Sequence, residues 1–304
     1  MTETTRPTRA ATDDVIRASG LGCSYDGHVA VADLDLTVRR GELYALLGTN
    51  GAGKTTTLEV LEGHRRQTSG SVRVLGGDPV DRVRTRPRVG VMLQDSGLAS
   101  ELTVRESVAL AGAVSGRRDS VDAVLARVGI DHRADTRVLQ LSGGEKRRVD
   151  FAAAVWGTPE LVFLDEPTTG LDPEARDHLW AAVGDLREAG VTFLLTTHYL
   201  EEAQQHADRI GLMHRGTLRR EGTVADLTAG ATTTIRFVVP GAVDDLPLPV
   251  SRTENGLAVV ETHDPQRDVG RLHAWADQGG HALERFSAHE SGLDDVFRSL
   301  SRAS

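Results

Sequence analysis

Cysteine is almost absent from this chain of 304 residues, because Cys23 is the only one. A single thiol excludes an intrachain disulfide and any metal cluster built on several cysteines. Long apolar runs are missing as well: nowhere do about 18 apolar residues follow one another, the length that a membrane-spanning helix needs. If the protein acts at a membrane, another chain must supply the span.

Positive charge is also in deficit, since 35 Lys and Arg stand against 44 Asp and Glu, a formal net charge of −9. Basic residues form only short clusters such as Arg65-Arg66 and Arg117-Arg118, which are too short to predict a nucleic-acid tail. We therefore expect no nucleic-acid partner. Residues 1–14 lack the apolar core of a secretory signal, so we interpret them as a flexible tail.

The chain does contain a phosphate-binding loop. Gly48 to Thr55 reads G-x-x-x-x-G-K-T, between an apolar run that ends at Leu47 and a helical stretch that stops before Gly63. Such a loop turns backbone N–H groups toward an anion at the N-terminus of the following helix. We expect Lys54 to neutralise the β- and γ-phosphates of a nucleoside triphosphate and Thr55 to bind Mg²⁺. The residues expected to contact the nucleotide here are Gly48, Thr49, Asn50, Gly51, Ala52, Gly53, Lys54, Thr55 and Thr56.

The fold class follows from apolar runs that alternate with helical stretches. Leu161–Leu164 and Val191–Leu195 are uninterrupted apolar segments, and they flank a helical stretch from Glu174 to Ala189. Strands of this type are buried on both faces, which predicts a mostly parallel α/β core sheet. Strand-like runs are scarce between residues 95 and 157, so we expect a helical insert there.

A second glycine motif restricts the families of nucleotide-binding proteins to which the chain can be compared. Leu141 to Glu145 reads L-S-G-G-E, and an apolar strand ending in Asp165-Glu166 follows it. With the P-loop upstream, this order resembles the ATP-binding-cassette (ABC) ATPases, from about Ile16 to Leu227. The resemblance implies a P-loop NTPase domain over residues 15–228, with a helical subdomain at about 95–157, and ATP and Mg²⁺ as its nucleotide and metal.

The same resemblance implies roles for five residues near the nucleotide. Asp165 would hold Mg²⁺ through water, and Glu166 would be the catalytic base that polarises the attacking water. Gln94 would reach both Mg²⁺ and that water. His198 would hydrogen-bond to the γ-phosphate, and the ring of Tyr25 would stack on the adenine.

Considered singly, these residues have plainer interpretations. Asp165-Glu166 is also what the start of a surface turn before Pro167 looks like. A lone glutamine such as Gln94 is nonspecific, and a tyrosine such as Tyr25 is often a half-buried strand residue. Their order along the chain, rather than any one of them, supports the functional interpretation.

The L-S-G-G-E loop implies a partner. In ABC ATPases the residues corresponding to Ser142, Gly143 and Gly144 contact ATP that is bound to a second cassette, so two cassettes pair head-to-tail. Asp172 would belong to the loop that communicates across this interface. Glu145 departs from the usual glutamine, and it brings a negative charge close to ATP.

Three functional classes remain open: the ATPase of a membrane exporter, the ATPase of an importer, and a soluble ABC protein of translation or DNA repair. Thr168–Pro173, Leu102–Glu106 and Gly292–Phe297 resemble ATPases of ABC-2-type exporters, a group that includes daunorubicin-type drug and antibiotic resistance pumps. This favours an exporter ATPase with a drug, antibiotic or lipid-like substrate. It would pair with a second copy or a paralogous cassette, and a separate permease would hold it at the cytoplasmic face of the membrane.

The last part of the chain, residues 229–304, predicts a small α+β accessory domain. Its predicted strands are Thr232–Val239, Gly256–Glu261 and Ala282–Ser287, and its predicted helices are Pro265–Ala276 and Gly292–Leu300. Residues 240–250 contain three prolines and are expected to form a loop.

Overall fold

A computed structural model describes residues 13–25, 27–229, 232–238, 246–254, 256–290 and 292–302. The chain divides into two compact units, of which the first ends at Thr223 and the second begins at Val224. The predicted tail at residues 1–14 lies mostly outside the described residues, and Asp14 already belongs to the first strand. No helix in the described ranges is long and apolar enough to cross a bilayer.

The first unit is built on a six-stranded sheet in the order β5-β6-β7-β3-β8-β9, in which only β9 runs antiparallel to its neighbour. Every residue of β3, β6 and β7 is buried, which explains their uninterrupted apolar sequences. The predicted mostly parallel α/β sheet is therefore confirmed. The strands are β3 (Leu43–Gly48), β5 (Val89–Met92), β6 (Leu161–Asp165), β7 (Thr192–Thr197), β8 (Arg209–His214) and β9 (Thr217–Gly222).

A second, antiparallel sheet in this unit was not anticipated from the sequence. Its order is β2-β1-β4, with β1 (Asp14–Tyr25), β2 (His28–Arg39) and β4 (Ser69–Val74). Buried residues of this sheet share one hydrophobic core with residues of β3, β6 and β7 and of the helix after the P-loop. The sheet matters for function because Tyr25 ends β1, next to the P-loop helix.

Helices surround the parallel sheet. Between β5 and β6 the described chain forms three α-helices and no strand, in the segment expected to be helical. The helices of the first unit are α1 (Lys54–Leu61), α2 (Arg82–Thr85), α3 (Val104–Ser115), α4 (Val121–Arg127), α5 (Gly143–Val155), α6 (Pro173–Glu188) and α7 (Leu200–His206). The helix α5 is the important one here because it begins in the L-S-G-G-E loop.

The second unit is a small α+β domain, as predicted. Its antiparallel sheet has the order β11-β12-β10-β13, and Ile235, Phe237 and Leu272 are among its buried core residues. Its elements are α8 (Val224–Thr228), β10 (Thr233–Val238), β11 (Arg252–Glu254), β12 (Leu257–Thr262), α9 (Pro265–Gly279), β13 (Glu284–Glu290) and α10 (Leu293–Arg302). The strand β11 was not predicted, and most of the predicted proline loop lies outside the described residues.

Candidate nucleotide site

The P-loop connects the buried end of β3 to the first turn of α1. Gly51 and Gly53 both have left-handed φ angles, 78° and 100°. A side chain at Gly53 would also place its Cβ 2.4 Å from the carbonyl oxygen of Ala30, so only glycine fits there. The loop therefore has the conformation that directs backbone N–H groups inward at a helix N-terminus, which is an anion-binding geometry.

Lys54 lies inside this loop with its side chain buried. Its Nζ donates to the carbonyl oxygens of Gly48 at 2.7 Å and Thr49 at 3.3 Å. Burial lowers the pKa of Lys54, whereas the nearby carboxylates of Glu166 and Asp165 oppose that shift. An ammonium group has three N–H donors, so the two carbonyl contacts leave one for a phosphate oxygen. Lys54 therefore fits its predicted role.

Asp165 is the last residue of β6 and is 6% exposed. The hydroxyl of Thr196, on the neighbouring strand β7, donates to Asp165 Oδ1. Burial raises the pKa of Asp165, and the hydrogen bond from Thr196 opposes the rise. No cluster of three or more His, Cys, Asp or Glu within the described ranges has a metal-binding arrangement. A lone carboxylate beside a phosphate-binding loop suits Mg²⁺, which commonly takes one or two carboxylates together with phosphate oxygens.

Glu166 contacts both of the other predicted catalytic residues. His198 Nδ1 lies 2.9 Å from Glu166 Oε1, and Gln94 Nε2 donates to Glu166 Oε2 at 3.4 Å. The contact with the carboxylate requires the imidazole proton on Nδ1. His198 can then donate from Nε2 to a phosphate only when its ring is protonated. Glu166 itself adopts a left-handed backbone conformation with φ of 47°, which is uncommon for a residue with a side chain.

Tyr25 is fixed against the P-loop helix. Its hydroxyl lies 2.9 Å from Thr56 Oγ1 and donates to Glu59 Oε2 at 3.1 Å. The guanidinium of Arg65 lies 4.1 Å from the ring centroid and also donates to Glu59 Oε2. The ring is therefore held in one orientation beside the P-loop.

Most residues predicted around the phosphates border one cleft of about 510 Å³. Four of these predicted residues are not among those that line it: Gly48, Thr49, Asp165 and His198. Two residues that the sequence did not indicate, His28 and Ala30, also line it. His28 pairs with Tyr25 where β1 and β2 meet, so the Asp-Gly pair between them in the sequence was the local signal for this hairpin. The lining residues are Tyr25, His28, Ala30, Asn50, Gly51, Ala52, Gly53, Lys54, Thr55, Thr56, Gln94 and Glu166.

The L-S-G-G-E loop and Asp172 are not among the residues that line this cleft. Ser142 caps α5: its Oγ accepts from the backbone N–H of Glu145 at 3.2 Å. The Glu145 carboxylate in turn accepts from the backbone N–H of Ser142 at 2.8 Å. Asp172 is likewise a helix cap, because its Oδ1 accepts from the N–H of Ala175 at the start of α6.

The charge of Glu145 is compensated. Arg133 Nε donates to Glu145 Oε1 at 2.8 Å. The hydrogen bond from the backbone of Ser142 holds the pKa of Glu145 below its ordinary value, with Arg133 contributing. The departure from glutamine therefore creates a capped helix start with a neutralised carboxylate.

The comparison with protein families gives two matches. Residues 31–169 match the family described as ABC transporter. Residues 233–291 match a family described as the C-terminal domain of ABC transporter domain-containing protein-like sequences. The first match contains the P-loop, Gln94, the L-S-G-G-E loop and Glu166.

Two curated relatives match over more than nine-tenths of the chain. The daunorubicin/doxorubicin resistance ATP-binding protein DrrA of Streptomyces peucetius is 36% identical over 97% of this chain and 93% of its own length. The Nod factor export ATP-binding protein I of Paraburkholderia xenovorans (strain LB400) is 37% identical over 91% of this chain and 93% of its own. A solved ATP-binding subunit of an ABC transporter is 28% identical with a TM-score of 0.67, covering 71% of this chain and 92% of that one.

Proposed function

This chain belongs to the ATP-binding proteins of ABC transporters, and we propose that it is the ATPase that powers an exporter. The observation that carries the proposal is the near-full-length similarity to proteins named for drug resistance and Nod factor export. That similarity extends through the second unit and not only through the cassette. It favours a drug, antibiotic or lipid-like compound as the transported substrate, over an importer or a soluble ABC protein.

In this proposal the cleft binds ATP through the P-loop. The inward backbone N–H groups from Asn50 to Gly53 and the Lys54 ammonium hold the β- and γ-phosphates. The fixed ring of Tyr25 stacks on the adenine. Stacking does not read the base edges, which implies modest selectivity between nucleotides.

Three residues would hold Mg²⁺: the Thr55 hydroxyl, the Gln94 amide and the Asp165 carboxylate through water. When bound, the ion supplies positive charge that neutralises the phosphate oxygens during phosphoryl transfer. The Thr196 hydroxyl fixes the orientation of Asp165.

Glu166 is the proposed base that accepts a proton from the attacking water. His198 and Gln94 each contact a different oxygen of its carboxylate, which fixes the carboxylate in the plane that the two contacts define. A protonated His198 would in addition donate to the γ-phosphate. The left-handed backbone of Glu166 aims this side chain into the cleft that Lys54 borders.

The remaining predicted residues act between two chains in this proposal. The Ser142 hydroxyl and the Gly143 and Gly144 amides bind the γ-phosphate of ATP held by a second cassette, and Asp172 lies at the same interface. Two ATP molecules thus hold two cassettes head-to-tail. A separate membrane permease contacts the helical segment, which places the assembly at the cytoplasmic face of the membrane. Closing and reopening of the dimer then drives the permease between its two states.

The experiment is co-purification from native membranes with ATP present. The full-length chain carries an affinity tag and the Glu166→Gln substitution, which traps the ATP-bound state by slowing hydrolysis. The matched control is the tagged Lys54→Ala chain, which we expect to bind ATP poorly. A polytopic membrane protein recovered in equal amount with Glu166→Gln supports the exporter assignment, and its sequence narrows the substrate class.

Other outcomes would contradict the proposal. Recovery of a ribosome, a DNA-repair complex or only soluble proteins would assign the chain to the soluble ABC proteins. Recovery of a permease together with an extracellular binding protein would assign it to an importer.

A further inference from the structure

One buried arginine that was not among the predicted site residues contacts the backbone at both Gln94 and Glu166. Arg147, in the second turn of α5, is 6% exposed. One terminal nitrogen of its guanidinium donates to the carbonyl oxygens of Leu93 at 2.6 Å and Gln94 at 2.9 Å. The other donates to those of Asp165 at 3.2 Å and Glu166 at 2.6 Å. A single side chain thus joins two loops that carry catalytic groups.

The partners of this guanidinium are unusual for a buried charge. All four of these hydrogen bonds end on backbone carbonyls, so the position of the main chain, rather than of a mobile carboxylate, is fixed. Burial lowers the pKa of Arg147, although the carboxylates of Asp150 and Asp165 oppose the shift. Charge-assisted hydrogen bonds of this kind are stronger than those between neutral groups.

The contact with Glu166 has a further consequence. The backbone of Glu166 is left-handed, and such strain persists only where the surroundings fix the conformation. Its N–H donates to the carbonyl oxygen of Thr196 at 2.9 Å, and its carbonyl accepts from Arg147 at 2.6 Å. The N–H of Thr169 donates to the same Glu166 carbonyl oxygen at 3.3 Å. Removing Arg147 would therefore release the shortest of three hydrogen bonds to the backbone of Glu166.

Arg147 also lies close to the L-S-G-G-E loop. Five residues separate it from Ser142, which corresponds to about 7 Å along a helix at about 1.5 Å per residue. A displacement of the start of α5 therefore moves the guanidinium and the four carbonyls bound to it. Because that loop contacts the nucleotide of the other chain in the proposed dimer, the two nucleotide sites become mechanically connected.

We propose that Arg147 is a positioning residue that links the L-S-G-G-E loop to Gln94 and Glu166 of the same chain. Seating of the loop on the partner's ATP would set the position of the catalytic base in the chain that supplies the loop. The inference rests on the proposed head-to-tail dimer. It makes hydrolysis at one site depend on occupancy of the other.

The test compares three variants of the full-length chain. Arg147→Met removes the four hydrogen bonds while retaining an apolar side chain of similar length. Arg148→Met is the matched control, because Arg148 is the next residue of α5 and donates to Gly129 at 3.0 Å, inside the helical segment. Arg147→Lys keeps the charge, but its single ammonium cannot span both pairs of carbonyls as a planar guanidinium does.

We expect Arg147→Met to lower kcat about 10- to 100-fold, the effect of misplacing catalytic groups by about 1 Å. The KM of Arg147→Met for ATP should stay close to that of the parent. Arg147→Met should also leave ATP-dependent dimerisation unchanged when both chains carry Glu166→Gln. Arg147→Lys should give an intermediate kcat, and Arg148→Met the kcat of the parent. A role in stability alone would instead lower unfolding temperature, affinity and turnover together.

A double-variant cycle with Ser142→Ala tests the link itself. If the loop acts on Glu166 through Arg147, the combined loss in kcat is smaller than the product of the two separate losses. Losses that multiply would overturn the inference. So would an unchanged kcat in Arg147→Met, or an equal loss in Arg148→Met. If Arg147→Met does not fold, a folded Arg147→Lys with the parental kcat overturns it.

The dimer measurement separates this inference from the proposed function. A chain that hydrolyses ATP while its Glu166→Gln form stays monomeric contradicts the proposed dimer and the inference together. A chain that dimerises normally but is insensitive to Arg147→Met contradicts only the inference.

Discussion

The candidate nucleotide cleft and the L-S-G-G-E loop are two regions of one cassette that are proposed to bind phosphate, yet they are built differently. In the cleft, residues of β1, β2 and the P-loop meet Gln94 and Glu166, which follow the ends of β5 and β6. The loop presents a capped helix start, and none of its residues lines the cleft of its own chain. In the proposed dimer, each cleft supplies the P-loop and the catalytic base, and the L-S-G-G-E loop of the other chain completes the site.

This difference should separate ATP binding by one chain from the assembly of two chains into a dimer. Changes in the cleft should alter ATP binding or hydrolysis directly, whereas changes in the loop should act through the step that joins two chains. The predictions below test that separation, beginning with the largest expected effect.

Glu166→Gln should reduce turnover by about 10²- to 10³-fold, as removal of one catalytic group typically does. ATP binding should remain, because the amide keeps the size of the carboxylate and the P-loop is untouched. Steady-state ATP hydrolysis and a nucleotide titration measure the two quantities. Glu160→Gln, adjacent to the other end of β6, is the control and should hydrolyse ATP normally. Turnover near the parental rate would exclude Glu166 as the base.

Ser142→Arg should abolish ATP-dependent dimerisation of the Glu166→Gln chain, because a long cation occupies the space intended for the partner's nucleotide. Affinity of the monomer for ATP should not change. Light scattering follows the dimer. The control is Ser120→Arg, since Ser120 caps α4 in the same way and its loss has a comparable cost for a helix start. A Ser142→Arg chain that still dimerises would contradict the proposed interface.

Lys54→Ala should weaken ATP binding about 10- to 100-fold, the equivalent of one lost charge-assisted hydrogen bond. Unlike Ser142→Arg, it should act on the isolated monomer. Lys146→Ala is the natural comparison, because Lys146 is the only other lysine of the chain and lies in α5. Equal affinities of Lys54→Ala and the parent in a fluorescence titration would refute the phosphate contact.

Protonation of the buried Glu62 side chain makes the stability of the folded chain depend on pH. The side chain is 3% exposed, and burial raises its pKa from 4.5 to about 8, with Asp165 and Glu59 adding to the rise. The folded state therefore binds this proton more tightly than the unfolded state, and stability is lost as the pH rises from about 4.5 to about 8. Glu62→Gln removes that loss.

We expect the unfolding temperature of Glu62→Gln, relative to the parent, to increase by a few degrees between about pH 5 and pH 8.5. The measurement uses calorimetry in metal-free buffer. The exposed Glu101→Gln should show no such trend. A difference between Glu62→Gln and its parent that is constant with pH would mean that Glu62 titrates normally.

The sequence indicated those parts of the site in which the residues are neighbours along the chain. The P-loop and Asp165-Glu166 are local patterns with a direct chemical meaning. The helix start at α3 is also local: Thr103 and Glu106 form a reciprocal capping box, which a Thr-x-x-Glu pattern predicts.

The contacts that complete the site join distant residues, and no local spacing encodes them. Thr196 and Asp165 are 31 residues apart, and Arg147 and Leu93 are 54 apart. Tyr25 and Glu59, whose hydrogen bond fixes the Tyr25 ring against the P-loop helix, are 34 residues apart. Sequence reasoning therefore indicated the groups proposed to contact the nucleotide but missed those that orient them.

The smallest expected effect concerns the ion pair at the loop. Arg133 is 44% exposed and Glu145 only 12%, and exposed pairs of this kind contribute about 0–1 kcal/mol. Arg133→Ala should therefore raise the ATP concentration needed for dimerisation by less than about fivefold, by leaving a less compensated carboxylate near the partner's phosphates. Affinity of the monomer for ATP should stay unchanged.

Glu145→Gln should reverse the effect of Arg133→Ala, because a neutral amide keeps the acceptor for the Ser142 N–H while removing the repulsion. The double variant should then dimerise at the ATP concentration of the parent, with little dependence on salt. A double variant that is as weak as Arg133→Ala would mean that Arg133 acts through α5 packing rather than through charge. In that case charge at the loop would have little effect on dimerisation. The loop and the cleft would then differ only in whether they act between two chains or within one.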